Sequence, residues 1–178
     1  MLLYCTIELS DKNKQQIESE ILYLFDDHPE YMWYPAINYR INLYSWTNVE
    51  SDLYEKLKEK MESLLFEMQS FQLYSQEYVV KIGSRIDIFL NFQEGKQYRK
   101  LGETINNFFS PQIKFDHIPH IGLARYKIPS KQQYSHLKNQ LEKLDTNVEI
   151  AVQSVNLAKV TDFGNGDKKY DIIDSIKF

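Results

Sequence analysis

A single cysteine in 178 residues leaves the chain without an internal disulfide. Cys5 sits in the run Leu2-Leu3-Tyr4-Cys5-Thr6-Ile7, where a thiol behaves as a small buried apolar group on a strand. No Cys/His spacing suggests a zinc site, so neither metal nor cofactor is expected. Basic charge is not in excess either: 21 Lys and Arg face 25 Asp and Glu, for a net charge of −4. That balance argues against sequence-independent wrapping of long nucleic acid, which needs an extended basic face. It leaves room for a small positive cleft that holds one phosphate or an RNA end. No apolar stretch approaches membrane-spanning length, and Met1 leads almost directly into a strand rather than a cleavable signal. A cytoplasmic, monomeric protein with no membrane partner is the expectation. No low-complexity segment, linker or charge run divides the chain, so residues 1–178 read as one α+β unit.

Tyrosine and phenylalanine are abundant, with 13 and 10 copies. Tyrosine fits the half-buried positions of a pleated sheet, which is the ordinary reading before any base-stacking role. Leu2–Leu9 reads as a buried strand, and residues 11 to 26 as an amphipathic helix capped by Ser10 or Asp11. Ile37–Tyr44 is a strand, and 49 to 68 a helix with Leu53, Leu57, Met61, Leu64, Leu65 and Met68 on one stripe. Phe71–Ile82 and Arg85–Asn91 form a hairpin turning at Gly83-Ser84. A helix over 96 to 109, a strand over Ile118–Tyr126 and a helix over 130 to 144 follow. Val148–Val160 and Tyr170–Phe178 close the chain around the turn Gly164-Asn165-Gly166. The strand–helix–strand spacing after Arg40 repeats after His120. This predicts two pseudo-symmetric lobes of antiparallel sheet, helices outside and a central cleft between them.

Two segments carry the chemistry, Asn38-Tyr39-Arg40-Ile41-Asn42-Leu43 and Pro119-His120-Ile121-Gly122-Leu123-Ala124-Arg125. Strict alternation places Arg40, Asn42 and Tyr44 on one face, and His120, Gly122 and Ala124 on one face of the second strand. Each segment resembles a motif strand of the two-histidine (2H) phosphoesterases, the superfamily of 2′-5′ RNA ligases and RNA cyclic phosphodiesterases. Their motifs usually read Asn-Leu-His-x-Thr-Leu and Pro-His-x-Thr-Leu-Ala-Arg. Arg40 stands where the first His belongs, Asn42 where its Thr belongs, and Gly122 where the second Thr belongs; His120 is retained.

The resemblance implies a groove in which two strands grip one phosphate. One His removes a proton from the attacking hydroxyl, the other donates one to the leaving oxygen, and no metal takes part. On that pattern His120 is the catalytic candidate. Arg40, Asn42, His120 and Gly122 are the phosphate-binding candidates, and Tyr44, Tyr126 and Tyr170 are candidates for support or base stacking. A nucleotide or RNA end is the implied partner. Arg40 stays protonated and cannot act as a base, although a guanidinium suits a phosphate well. The pattern therefore predicts a site moved from acid–base chemistry towards anion binding, with turnover weakened or lost. The alternative is a non-catalytic binding or protein-interaction module using the same groove. His28 and His117 are the candidates to replace the missing His. His136 falls on an outer helix face, and Asp116 and Asp171 are possible supporting partners. Arg40 is expected to be replaceable without harm to the fold, as a cleft residue outside the core.

Overall fold

Alternating and near-continuous apolar runs become the strands of one twisted sheet. The computed structural model describes residues 1–109, 118–127, 130–163 and 168–178. In chain order the strands are β1 (Leu2–Glu8), β2 (Met32–Trp33), β3 (Arg40–Trp46), β4 (Phe71–Ile82), β5 (Ile86–Phe92), β6 (His120–Tyr126), β7 (Glu149–Val152), β8 (Ser154–Asp162) and β9 (Lys168–Lys177). The helices are α1 (Asp11–Asp27), α2 (Ser51–Leu65), α3 (Lys96–Phe109) and α4 (Lys131–Leu141). Asp116, His117 and the Gly164–Gly166 turn lie outside the described residues.

The sheet runs β7-β4-β5-β6-β3-β1-β8-β9, with β2 added beside β6, and its pairings are antiparallel. Two four-stranded halves therefore meet at β3 and β6, where Ile41 pairs with Ile121. The halves exchange elements. β3–α2–β4 leaves one half to pair in the other, β6–α4–β7 stays within that second half, and the step from β7 to β8 makes the reverse crossing. Helices α2 and α3 contact β9 and β3, while α4 contacts β4. α1 reaches the β4–β7 half through Asn13 Nδ2 to the Glu149 carbonyl (2.8 Å) and Gln16 Nε2 to the Asn147 carbonyl (3.0 Å).

Local chemistry explains the element ends. Ser10 accepts from the Asn13 N–H to start α1, and Ser130 with Gln133 forms a reciprocal capping box at α4. α2 buries Leu57, Met61 and Leu65 but leaves Leu53 exposed, so its apolar stripe begins a turn later than the sequence predicts. The first motif strand starts at Arg40, not Ile37. Ala36–Asn38 is a short 3₁₀ turn after Pro35, held by Arg40 bonds to the Ile37 and Asn38 carbonyls. Val148–Val160 divides at Gln153, because β7 pairs with β4 and β8 pairs with β1.

Two one-residue bulges matter most. Opposite β1, pairing passes from Cys5–Tyr44 to Thr6–Asn42, leaving Leu43 over. Opposite β5 it passes from Ile88–Ala124 to Phe89–Gly122, leaving Leu123 over. Each extra residue bends its strand and reverses the faces beyond it. The bulges occupy equivalent places in the two halves, as the internal repeat requires.

Three phenols, Tyr31 and Tyr39 buried and Tyr78 half-buried, give this fold a pH limit. Burial raises Tyr31 from 10.0 to about 12, with Glu30, Tyr126 and Tyr134 adding to it, and pushes Tyr39 and Tyr78 up as well. The folded chain therefore keeps protons that the unfolded chain releases near pH 10. Stability is full below that pH and falls as pH climbs from about 10 towards 12. Urea midpoints should drop steadily between pH 9 and pH 11.5, and Tyr31→Phe should flatten the slope. A midpoint constant over that interval would show that the phenols are not held protonated.

Candidate functional site

The motif strands place their polar residues on the concave side of the seam. A cleft of about 330 Å³ opens there, walled on one side by Tyr4, Arg40, Asn42, Lys168 and Tyr170. The other wall is Arg85, Asp87, Phe89, His120, Gly122 and Arg125, with Tyr34 beside them. Arg40 and His120 thus open onto the same groove. In a chain of net charge −4, four cations and one carboxylate line this cleft.

His120 is half-buried on β6, opposite Asn91. Its Nδ1 lies 3.0 Å from the Ile118 carbonyl, an acceptor, so Nδ1 carries a proton. That leaves Nε2 as the nitrogen able to exchange a proton with a bound group. The Phe89 ring meets the imidazole edge to face, with centroids 4.8 Å apart. Asn42 is exposed at the cleft opposite Thr6, and Gly122 offers its backbone.

Arg40 is held by an ion pair, two hydrogen bonds and an aromatic face, while its buried Nη1 makes no hydrogen bond among the described residues. Its Nη1 lies 3.0 Å from Glu8 Oε1, its Nη2 donates to the Ile37 carbonyl at 2.8 Å, and its Nε donates to the Asn38 carbonyl at 3.4 Å. The guanidinium carbon sits 3.8 Å from the centre of the Tyr170 ring. Only 5% of the residue is exposed. Burial draws its pKa down while Glu8 and Tyr170 oppose the shift; a guanidinium remains a cation at any pH the protein experiences. Arg40 thus ties β1, the turn before β3 and β9 together. The expectation that it lies outside the core is corrected.

The bulges also correct the aromatic candidates. Past Leu43, Tyr44 pairs with buried Cys5 and packs on Trp46 and on Phe109 of α3, under the helices rather than in the cleft. Past Leu123, Tyr126 pairs with buried Ile86 and packs on Tyr31, with centroids 5.0 Å apart. Ala124 pairs with fully buried Ile88 and still lines the cleft, at its buried edge. Tyr170 does line the cleft, beneath Arg40.

His28 is no replacement histidine: it is 2% exposed, with Nε2 2.6 Å from Gln140 Oε1 on α4. His136 is exposed on that helix, and Asp171 pairs outward with Lys169 at 2.9 Å. Among the described residues, no group of three or more His, Cys, Asp and Glu could hold a metal ion, and no helix is long and apolar enough to cross a membrane.

The sequence pattern does not single out Arg85, Asp87, Lys168, Tyr4 or Tyr34 for the cleft, and marks Arg125 only as part of its motif. Arg125 Nε lies 3.9 Å from Asp87 Oδ1, and Arg85 Nε lies 3.2 Å from Oδ2 of the same carboxylate. Lys168 Nζ lies 3.9 Å from Asp162 and 3.5 Å from the Tyr4 hydroxyl. A signal for Arg125 existed. Both motifs follow a polar or glycine position with two apolar residues and then a polar one, Leu43-Tyr44-Ser45 and Leu123-Ala124-Arg125, which breaks strict alternation.

The arrangement makes Arg40 a stability residue. Removing one partner of a buried pair costs about 3–5 kcal/mol, and Glu8 keeps Lys14 at 3.5 Å and some solvent. Arg40→Ala should therefore lower unfolding stability by roughly 2–3 kcal/mol in urea titrations. Adding Glu8→Gln should restore part of the loss. A variant as stable as the natural protein would show that the pair contributes nothing.

No known family and no curated protein matches the sequence. Solved structures do match the fold over nearly the whole chain. TT0787 of Thermus thermophilus aligns with a TM-score of 0.72 at 13% identity, covering 99% of this chain and 97% of that one. E. coli LigT complexed with 3′-AMP aligns at 0.71 and 18% identity, covering 97% and 95%. Usb1 of Kluyveromyces marxianus with uridine monophosphate aligns at 0.59 and 13% identity, covering 99% and 98%. These are two-histidine phosphoesterases, and theirs is the fold of this chain.

Proposed function

We propose that the cleft binds the phosphate of a nucleotide or RNA end, and that the chain turns over cyclic phosphodiesters weakly or not at all. One observation carries this reading. Four cations converge with His120 on one small cleft, while the position on β3 equivalent to His120 in the repeat holds an arginine already engaged by Glu8 and two carbonyls.

Cyclic-phosphate opening needs a group that takes a proton and another that gives one. With its Nδ1–H turned to the Ile118 carbonyl, His120 exchanges a proton only through Nε2 and so cannot serve as base and acid in the same step; Arg40 does neither. Loss of one such role typically costs about 10²–10⁴-fold in rate. Asp87 is held between two arginines, and Glu8 is held by Arg40 with Lys14 and Thr6 nearby; both carboxylates are thereby disfavoured as substitutes. Electrostatic attraction survives this loss. Arg85, Arg125 and Lys168, with Asn42 and the Gly122 backbone, form the anion seat, and Arg40 shapes its wall rather than gripping the phosphate.

Room for more than a phosphate lies next to His120. Past Phe89 and His120 a second hollow of about 420 Å³ extends over Val79, Val80, Ile82 and Ile118, with Lys81 and Asn91 at its edge. An apolar hollow continuous with a cationic one suits a nucleoside attached to its phosphate. LigT has been captured with 3′-AMP and with phosphate, and Usb1 with uridine monophosphate, which adds weight to this choice of ligand.

Calorimetric titration should show 3′-AMP binding more tightly than inorganic phosphate, with both affinities falling as salt rises. A 2′,3′-cyclic-phosphate oligonucleotide should be bound but scarcely opened. Rapid opening abolished by His120→Ala would mean that another group supplies the second proton transfer. If neither 3′-AMP nor phosphate binds, the anion reading fails and the groove is better assigned to a protein partner.

A further inference from the structure

Resting on that anion-binding reading, we infer that Tyr34 is the positioning residue for the β6 side of the seat, where a ring supplied from beside β2 takes the place of a side chain on Gly122. The space over Gly122 is filled rather than vacant. A Cβ built on this glycine would meet Cε2 and Cδ2 of Tyr34 at 3.6 and 3.8 Å. Those are ordinary contacts, so alanine would fit. A branched side chain such as threonine or valine reaches further and would push the ring aside.

Tyr34 is pinned in this position by the backbone. β2 pairs Met32 with Arg125 and Trp33 with Ala124, and the Tyr34 N–H donates to the Leu123 carbonyl at 2.8 Å. The ring is thereby laid across the bulged part of β6, between Gly122 and Arg125. The Arg125 guanidinium carbon lies 5.3 Å from the ring centre, within cation–π range. The Tyr34 hydroxyl and Arg125 Nε are both buried, and the guanidinium acts on the phenol by charge and by a hydrogen-bonding approach as well as through the ring face. Burial raises the Tyr34 phenol while Arg125 opposes the rise, so the group beside the guanidinium is a neutral one.

Arg125 is thus supported by the Tyr34 ring on one side and drawn by Asp87, 3.9 Å away, on the other. Asp87 is itself shared with Arg85, so the carboxylate alone does not fix Arg125. The ring is the element that keeps the guanidinium at the cleft wall with its remaining donors available to an anion. A hydroxyl on β6 would bind an anion directly; Tyr34 acts through Arg125 instead.

The test is a double-mutant cycle with 3′-AMP as the probe, read by calorimetry, using the natural protein, Tyr34→Leu, Tyr34→Phe, Arg125→Gln and Tyr34→Leu/Arg125→Gln. Tyr34→Leu should weaken binding about 5–10-fold, the size of one lost cation–π contact. Tyr34→Phe, which keeps the ring, should stay within about twofold of the natural protein. The double variant should bind no more weakly than Arg125→Gln alone, because Tyr34 would have nothing left to position. Unchanged binding in Tyr34→Leu, or losses that simply add, would overturn the inference.

A ligand-free readout keeps the two proposals separate. The Arg125 Nε–H should exchange slowly with water in the natural protein and in Tyr34→Phe, and quickly in Tyr34→Leu, as followed by ¹⁵N NMR. Equal exchange in all three would reject the positioning role. If the natural protein binds no 3′-AMP, the proposed function falls, while the Nε–H exchange still decides whether Tyr34 holds Arg125. Should Tyr34→Leu fail to fold, Gly122→Val pushes the same ring from the strand side. It should weaken 3′-AMP binding and speed Nε–H exchange together, and an effect on neither would overturn the inference.

Discussion

The meeting of β3 with β6 at Ile41 and Ile121 sets the geometry of everything else in this molecule. Both residues are buried, and they join two four-stranded halves that otherwise hold together by exchanging helices and outer strands. Because the strands are antiparallel and each bears a bulge beyond the shared pair, they bend away from one another. That divergence creates the cleft. It also explains why residues one place from the seam pair, Arg40, Asn42, His120 and Gly122, line the same small volume although they come from distant parts of the sequence.

Within that frame the two halves have diverged in chemistry. On β6, His120 keeps an imidazole whose proton is placed by the Ile118 carbonyl. On β3 the equivalent position carries a permanent cation that has found a carboxylate, two carbonyls and an aromatic face of its own. A histidine poised for proton transfer needs an unengaged nitrogen; the guanidinium here has been absorbed into the packing. The exchange removes one titrating group, yet it strengthens the tie between β1, β3 and β9. It therefore holds the wall of the groove in place, and on the proposed reading it leaves His120 as the one titrating group of the pair.

Most of the fold was legible in the sequence because it rests on period. The four helices and the long strands announce themselves through apolar spacing, and the repeat around the two motifs correctly places β3 beside β6. What escaped depends on single residues that break the period. Leu43 and Leu123 each add one residue opposite a regular strand, so Tyr44 and Tyr126 turn under the helices and Arg125 turns into the cleft. Arg40 was legible as a cleft residue from its motif. Its burial was not, since that depends on Glu8 lying opposite it and on Tyr170 arriving from β9, far along the chain. Tyr34 could not be read at all, because its place over Gly122 follows from the two-residue strand β2.

The distribution of countercharges gives the cleft a preferred side. Glu8 neutralises Arg40 at 3.0 Å, and burial leaves that guanidinium little freedom to turn towards a ligand. Across the seam, Arg85 and Arg125 share the single carboxylate of Asp87, so one positive charge on that wall is uncompensated. Lys168 is only loosely held by Asp162 at 3.9 Å. On the proposed reading, an anion entering from a solution around this net-negative molecule would be drawn to the β6 side, against His120, Arg125 and Arg85. It must also compete with Asp87 for those donors. On the proposed anion-binding reading, such competition would favour a doubly charged terminal phosphate over a singly charged diester, because the more highly charged group gains more from the excess positive charge there.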